Sequence, residues 1–362
     1  MQAQITNFIF LPFIFAFVIS AVLTPISLII LKRLGVIDDP KIRKHPGVIH
    51  KKPIPRGGGI PLFLGVFLAG LIFLPINQIT QALFLASFIA LVTGVLDDKF
   101  EISPYLRFVI NILCAIIVIW AGVNVSFITN PLGGILFLNQ FVFSFTISGL
   151  NIALALSDAI AMVWIVWVMN MLNWSKGVDG QMPGIVAISA VIIGLLSFRF
   201  GIFDDFSQIS ATLSFIIAGS ALGFLLYNFH PAKIFPGYGA TSIYLLLAVV
   251  SILSSAKLAT AILVMGVPLA DGAFTIGRRI LSGRSPFWHD KKHLHHLLLS
   301  LGFGQRKIAL FYWFISAIFG SLSLVLSSQG KLFAIIMLVI IVGGALLSLN
   351  YFLRKKNVQR NL

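Results

Sequence analysis

The stretch from Asn7 to Arg33 reads NFIFLPFIFAFVISAVLTPISLIILKR, an uncharged and mostly apolar run that ends in a lysine and an arginine. A helix needs roughly 20 apolar residues to cross the hydrocarbon core of a bilayer. The run is long enough for that, and it lacks the basic leader and the short apolar centre of a signal peptide. It therefore predicts a membrane-spanning helix rather than a cleaved leader.

The composition of the whole chain indicates the same class of protein. Hydrophobic residues make up 58% of the 362 positions and charged residues only 10%, whereas soluble domains average about 25% charged residues. The formal net charge of +15 could suggest a nucleic-acid partner. However, the basic residues lie in short blocks between apolar runs, which is typical of membrane topology, so we expect no nucleic acid. Cys114 is the single cysteine, which excludes a disulfide framework.

The apolar runs and the residues that interrupt them predict an all-α polytopic membrane protein that forms one transmembrane domain over residues 1–362. Turn signals and alternating apolar residues between 123 and 151 predict a small hairpin on the outer side. About eleven transmembrane helices are expected, near 7–31, 60–75, 80–96, 106–122, 155–173, 183–199, 208–227, 240–255, 257–274, 308–327 and 331–353.

Basic residues predict the orientation of these helices. Of the 26 lysines and arginines, all but Arg199, Lys257 and Lys331 lie on one alternating set of segments. The positive-inside rule assigns that set to the cytoplasm, with the N-terminus outside, the C-terminus cytoplasmic and the chain in the cell membrane. The set consists of loops 32–59, 97–107, 170–182, 228–239 and 275–307 and the tail after 353, and these loops form the predicted active face.

The first cytoplasmic loop runs from His50 through Pro53 and Pro55 to Arg56 and three glycines. Glycines let backbone amides approach an anion closely, and the guanidinium of Arg56 can bind a phosphate through two hydrogen bonds. By charge alone, a loop held against anionic lipid head groups is as good an interpretation. The Pro-x-Pro-Arg-Gly-Gly-Gly ending favours the phosphate-binding interpretation.

Asp97 and Asp98 follow an apolar helix directly. Two adjacent carboxylates at such a position repel each other and need a cation or a proton to compensate. This arrangement is typical of a divalent metal near a phosphate. The alternative is a polar helix end that faces water, and we favour the functional interpretation.

The next two loops carry weaker signals. Asn170 and Asn173 share a helix face, and the Gly-x-Asp-Gly turn after them can present Asp179. Alone, this pattern is an ordinary helix exit. The loop from Asn228 to Gly239 could line a pocket or simply connect two helices.

The last loop contains His293, His295 and His296. Such a cluster suits phosphate binding, proton transfer or metal ligation. No second pair of ligands lies nearby at zinc-finger spacing, so a structural zinc site is the weaker interpretation.

Taken in this order, the segments resemble the polyprenyl-phosphate N-acetylhexosamine-1-phosphate transferase family (glycosyl transferase family 4). The resemblance is greater to the branch that transfers GlcNAc 1-phosphate to undecaprenyl phosphate than to the branch that transfers MurNAc-pentapeptide. It extends from about Gly35 to Gly302 and depends on the His-x-x-Pro-x-Pro-Arg-x-Gly-Gly loop, the Asp-Asp pair and the His-x-His-His loop.

The resemblance implies transfer of a sugar 1-phosphate from a UDP-sugar to a polyprenyl phosphate, with release of UMP and with Mg²⁺ as cofactor. The partners would be these two substrates, and a homodimer stays open. The implied metal residues are Asp98 and Asp179. The implied catalytic residues are Asp97, Asp98, Asp179, His293, His295 and His296, and the implied substrate-binding residues are His50, Arg56, Asn170, Asn173, Lys176, Asn228 and Phe235.

Two positions depart from the family pattern. Lys176 stands where the first acid of Asp-Gly-x-Asp-Gly is expected, and Tyr238 stands where the acid of Gly-Asp-x-Gly-Ser is expected. Together the replacements change the local charge by about +3. The loss of two acids puts Mg²⁺ binding in question. It suggests that the ammonium of Lys176 replaces the metal ion as a point charge.

Three functions are compatible with the sequence. The first is an active, divergent transferase, and the second is a catalytically impaired relative that binds nucleotide or lipid phosphate as a scaffold. The third is a transporter with an ion path through Asp97, Asp98, Asp158 and Asp271. The retained acids and histidines favour the transferase, and the crowding of charge at one end of the helices disfavours the transporter.

Overall fold

The computed structural model describes residues 6–42, 49–130, 133–147, 150–199, 205–253, 258–288 and 290–360. Basic residues at 43–45 of the first predicted loop lie outside these ranges. The helices are α1 (Leu11–Arg33, after a π-helical turn at Thr6–Phe10), α2 (Gly59–Phe73), α3 (Gln78–Phe100), α4 (Pro104–Trp120), α5 (Leu156–Trp174), α6 (Gln181–Arg199), α7 (Asp205–Asn228), α8 (Thr241–Val250), α9 (Leu258–Val264), α10 (Gly266–Leu281), α11 (Leu294–Ser300), α12 (Gln305–Val325) and α13 (Ser328–Arg360).

The helices confirm the predicted class, an all-α polytopic membrane protein. Within the described ranges, seven helices are long and apolar enough to cross a membrane, and the bent pair α9–α10 would make an eighth. Three further apolar segments, α2, α4 and the one that begins at Tyr238 and includes α8, are shorter. The number eleven and the orientation stay predictions.

The predicted single helix at 257–274 is wrong, because the chain breaks at Met265 and α9 and α10 meet at an angle of 83°. Pro268 explains the break, since it has no N–H to donate to the carbonyl of Val264 four residues earlier. Gly266 lies next to the break, and a side chain at this position would collide with Leu338 of α13. The glycine therefore lets α10 approach α13 closely.

The predicted span at 240–255 is also shorter than expected. Helix α8 is entirely buried and packs against α3, α5 and α7. Its ten residues cover roughly 15 Å, about half of the hydrocarbon thickness. Side chains from neighbouring helices bind its last turn: the Trp164 indole donates to the Ser251 hydroxyl at 2.9 Å, and the Ser210 hydroxyl donates to the Val250 carbonyl at 3.1 Å. The helix can therefore end inside the protein.

In the turn before α8, the backbone lies in close contact with the backbones of α2 and α3. Gly59 at the start of α2 and Gly94 in α3 both lie against Gly239, and a side chain on either would collide with that backbone. Gly237 has a φ of +67°, which favours glycine. The contact brings the C-terminal end of α3, with its two aspartates, against the first turn of α8.

Short strands complete the fold. Strands β1 (Ile37–Asp38) and β2 (Ile54–Pro55) pair within the first predicted cytoplasmic loop. The predicted outer hairpin at 123–151 forms two antiparallel pairs instead of one: β3 (Phe127–Thr129) with β4 (Ile135–Phe137), and β5 (Val142–Ile147) with β6 (Leu150–Ala155).

Candidate active site

A cavity of about 270 Å³ lies where the C-terminal ends of α3 and α5 meet the turn before α8 and the start of α11. Residues from all five predicted cytoplasmic loops line it. Every residue that the sequence singled out for the site lies on the cavity wall except Asp98: His50, Arg56, Asp97, Asn170, Asn173, Lys176, Asp179, Asn228, Phe235, His293, His295 and His296.

Asp98 lies behind the wall and is fully buried. Its Oδ1 pairs with the Nη2 of Arg56 at 3.1 Å, and the backbone N–H of Tyr238 donates to its Oδ1 and Oδ2 at 2.9 and 3.1 Å. Both oxygens are therefore engaged by the protein. The geometry assigns Asp98 a positioning role, holding Arg56 and the turn before α8, and gives no support to direct metal binding by this residue.

Arg56 is held in place by its backbone as well. The Phe235 N–H donates to the Pro55 carbonyl at 2.8 Å, and the Gly58 N–H donates to the Phe235 carbonyl at 2.9 Å. The Phe235 ring in turn makes an edge contact with the His50 ring, with centroids 5.0 Å apart. The first loop and the loop before α8 thus form one unit that presents the guanidinium to the cavity.

Only one of the two carboxylate oxygens of Asp97 has a hydrogen-bond partner among the described residues. Its Oδ2 accepts a hydrogen bond from the Nη1 of Arg107 at 3.0 Å, while its buried Oδ1 has no partner among the described residues. The Arg107 guanidinium lies over the Tyr238 ring, 4.8 Å from the centroid, and the Nδ2 of Asn111 donates to the Tyr238 hydroxyl at 3.1 Å. Arg107 and Asn111 were missed as site residues, although their spacing of four on α4 puts them on one face.

Lys176 lies beside this group. Its Nζ donates to the Gly237 carbonyl at 2.8 Å and stands 5.9 Å from the centroid of the Tyr238 ring. Burial lowers the pKa of Lys176 to about 7, although Asp98 acts in the opposite direction. Within the described part of the chain, no carboxylate lies within 4.0 Å of the ammonium, so it has charge to offer to a ligand.

Asp179 occupies a different part of the wall. Its Oδ2 is 2.7 Å from the Nδ1 of His230 and accepts the Ala232 N–H at 3.1 Å. Its own N–H donates to the Oε1 of Gln305 at 3.0 Å. His230 was missed as a site residue, because a histidine before a proline carries no distinctive local pattern.

The three asparagines differ in the hydrogen bonds that their side-chain amides make. Asn228 accepts the Gly180 N–H at 3.1 Å and donates to the carbonyl of Ile234 at 2.8 Å, so it ties two loops together. Asn170 donates to a carbonyl of its own helix. Asn173 lines the cavity, and its buried Oδ1 has no partner among the described residues.

The histidines form a stack. The His293 Nδ1 lies 3.1 Å from the Oδ2 of Asp271, and the rings of His293 and His295 are parallel with centroids 5.6 Å apart. Burial lowers the pKa of His296 to about 4 and that of His295 well below its usual value. Both are therefore neutral at pH 7, and the Nδ1 of His295 has no partner in the described ranges. Asp271 was missed as the residue that orients the stack.

The predicted Mg²⁺ site does not fit these residues. Mg²⁺ prefers an octahedron of oxygen ligands, and among the described residues no three His, Cys, Asp or Glu side chains are grouped to hold a metal ion. Asp98 is bound by Arg56, and Asp179 belongs to a separate cluster with His230. Three cationic side chains surround the aspartate pair, which disfavours a further cation.

Comparison with known proteins identifies the family of the chain. The family model described as glycosyl transferase family 4 matches residues 80–255. The chain is 33% identical over 341 residues to a probable undecaprenyl-phosphate N-acetylglucosaminyl 1-phosphate transferase of Bacillus subtilis, covering 90% of this chain and 88% of that protein. It is 30% identical over 348 residues to a decaprenyl-phosphate N-acetylglucosaminephosphotransferase of Mycobacterium tuberculosis H37Rv, covering 86% and 81%.

A third relative, an undecaprenyl-phosphate alpha-N-acetylglucosaminyl 1-phosphate transferase of Haemophilus influenzae, is 29% identical over 322 residues, covering 86% of this chain and 83% of that protein. The chain therefore belongs to glycosyl transferase family 4. Within it, these relatives identify the branch of polyprenyl-phosphate N-acetylglucosaminyl 1-phosphate transferases.

Proposed function

We propose that this protein transfers N-acetylhexosamine 1-phosphate from a UDP-sugar to a polyprenyl phosphate and releases UMP. The relatives support this by their names, which describe N-acetylglucosaminyl 1-phosphate transfer with undecaprenyl or decaprenyl phosphate. One observation carries the proposal: three cationic side chains line one cavity together with three residues that each hold a buried polar atom without a partner among the described residues. They are Arg56, Arg107 and Lys176 with the Oδ1 of Asp97, the Oδ1 of Asn173 and the Nδ1 of His295.

The position of the cavity suits one lipid and one soluble substrate. It lies at the ends of the apolar helices α3 and α5, so a polyprenyl chain can stay in the bilayer while its phosphate enters. The surrounding loops carry most of the lysines and arginines, which supports the cytoplasmic face of the cell membrane. A UDP-sugar would reach the site from that side.

The chemistry needs no covalent intermediate on the protein. An oxygen of the acceptor phosphate attacks the phosphorus that carries the sugar, and a new P–O bond forms. The bond from that phosphorus to the bridging oxygen breaks, and UMP leaves with that oxygen. Such a transfer depends on positioning and on neutralising the phosphate charges. Arg56 can bind phosphate through two hydrogen bonds, and Lys176 supplies a point charge.

Neutral histidines add hydrogen bonds rather than charge. Because burial lowers the pKa values of His295 and His296, we assign them hydrogen bonds to the diphosphate of the UDP-sugar. We assign Asp179, Asn228 and Phe235 to the uridine end, since the first two bind the loop before α8 in which Phe235 lies.

A scaffold that binds phosphate without turnover is the second candidate, and the replacement of two family acids by Lys176 and Tyr238 favours it. The transporter is disfavoured by Asp158. This residue lies in the first turn of α5, roughly 18 Å along the helix from the end that reaches the cavity, so it cannot extend a path from the aspartate pair.

The test is release of UMP by the purified full-length protein with UDP-GlcNAc and other UDP-sugars, with and without undecaprenyl phosphate. We expect release that requires the lipid phosphate and is accompanied by a lipid-linked diphospho-sugar. Binding of both substrates without any release would support the scaffold instead. Substrate-dependent flux in proteoliposomes without release would support a transporter.

A further inference from the structure

The two departures from the family pattern contact each other. Lys176 and Tyr238 lie far apart in the sequence, yet the lysine ammonium faces the tyrosine ring at 5.9 Å and donates to the carbonyl of the residue before it. The aromatic face carries partial negative charge that attracts cations. The replacements therefore form one arrangement, in which a cation and the aromatic group that supports it stand where two acids are expected.

Three further contacts build that arrangement into the protein. The Tyr238 ring also lies under the Arg107 guanidinium, its hydroxyl is held by Asn111, and its N–H binds Asp98. Nearly the whole side chain is buried, with the residue 4% exposed. Tyr238 is thus held at its ring, its hydroxyl and its backbone N–H.

The local charge favours an anion rather than a second cation. Asp97 pairs with Arg107 and Asp98 pairs with Arg56, so each acid is already neutralised by an arginine. Lys176 is the additional cation, and its described hydrogen bond goes to an uncharged backbone carbonyl. A phosphate that enters the cavity meets an ammonium that has no carboxylate within 4.0 Å in the described part of the chain.

We propose that the ammonium of Lys176, supported by Tyr238, replaces the divalent cation in this protein, so that its phosphate substrates bind and react without Mg²⁺. This inference rests on the proposed function. The reaction balances as before, since a lysine that neutralises charge forms no bond to phosphorus.

The first test measures equilibrium binding in EDTA and again in excess Mg²⁺ with purified full-length protein. One arm uses UDP-GlcNAc and the other a short-chain polyprenyl phosphate, which separates the two sources of phosphate. We expect the unaltered protein to bind equally well in both conditions. In EDTA, Lys176→Gln should weaken at least one ligand by roughly 10- to 100-fold, the effect of one lost charged hydrogen bond. Lys176→Arg should largely restore it.

The matched control is Lys99→Gln, which removes the same charge from an exposed position next to the aspartate pair and should bind like the parent. A second measurement uses the unaltered chain: UDP-GlcNAc or the lipid phosphate in EDTA should protect Lys176 from an amine-reactive reagent. The proposal is overturned if binding requires Mg²⁺, if Lys176→Gln binds both ligands normally, or if neither ligand protects Lys176.

Turnover separates this proposal from the proposed function. If transfer occurs only with Mg²⁺, the inference fails and the transferase function stands. If no transfer occurs with any metal, but binding in EDTA still depends on Lys176, the proposed function fails, and with it the part of the inference that concerns reaction, while the part that concerns phosphate binding stands.

Discussion

Asp98 and Asp179 are both acids of the family pattern, but the protein treats them differently. Asp98 lies behind the cavity wall, where an arginine and a backbone amide hold both of its oxygens. Asp179 lines the cavity, where a half-exposed histidine and a backbone amide hold one oxygen. The comparison teaches that the surroundings decide what each acid holds: Asp98 holds Arg56 within the cation cluster, and Asp179 holds the loop at Ala232.

The largest expected effect is that of Asp98→Asn. It leaves the Arg56 guanidinium in a buried position without its partner, and breaking a buried ion pair costs roughly 3–5 kcal/mol. We expect a lower melting temperature in detergent and turnover reduced by more than about 100-fold. The control is Asp158→Asn at the opposite end of α5, which should change little. Equal effects of the two changes would remove the special role of Asp98.

The next effect is that of Gly177→Ala, which tests the histidine stack. A side chain at this position would overlap the ring of His295, and such overpacking costs roughly 1–3 kcal/mol. We expect transfer to fall roughly 10- to 100-fold, measured as the initial rate of UMP release. Gly304→Ala is the matched control, because nothing lies within 4 Å of the added methyl group. Unchanged transfer in Gly177→Ala would show that His295 can move freely.

A smaller effect is expected for Asp179→Asn. The change weakens the contact with His230 at the end assigned to uridine, while the cation cluster stays intact. We expect KM for the UDP-sugar to rise about tenfold, as for one charged hydrogen bond, and kcat to change less. A loss of kcat at constant KM would move Asp179 to the reacting end and cancel the distinction from Asp98.

The smallest effect concerns pH. Burial lowers the pKa of Lys176 to about 7, and Asp98, Arg56, Asp97 and Arg107 are the charged groups that face it. The ammonium is charged below this pKa and neutral above it, so phosphate affinity should fall by roughly fivefold as the pH rises from 7 to 8. Arginine stays charged over this range, so the profile of Lys176→Arg should be flatter. Identical profiles would exclude Lys176 as the titrating group.

Much of the fold follows from local pattern. Apolar runs such as Asn7–Leu31 predict membrane helices because the bilayer imposes a minimum length. The break at Met265 was missed although Pro268 marks it locally. The short α8 was missed because it depends on a neighbour, since Trp164 binds its last turn. A buried helix with satisfied ends need not span the bilayer, and no window of sequence reveals that.

The candidate site also divides into features that the sequence predicted and features that it did not. The motifs predicted which side chains meet, and all but Asp98 line one cavity. The contacts of Tyr238 with Arg107, Asn111 and Lys176 join segments from distant parts of the chain, so periodicity could not predict them. The sequence shows that two acids are replaced, and only the structure shows that the replacements touch.

The measurement that tests the central claim most directly is the rate of lipid-linked product formation as free Mg²⁺ is varied from excess EDTA upward. The assay uses the unaltered protein with UDP-GlcNAc and undecaprenyl phosphate. If the ammonium of Lys176 replaces the metal ion, product forms in EDTA, and added Mg²⁺ changes the rate by less than about twofold. A catalytic divalent ion typically contributes several kcal/mol, or more than about 100-fold in rate. A rate that falls to background in EDTA and returns with Mg²⁺ would contradict it.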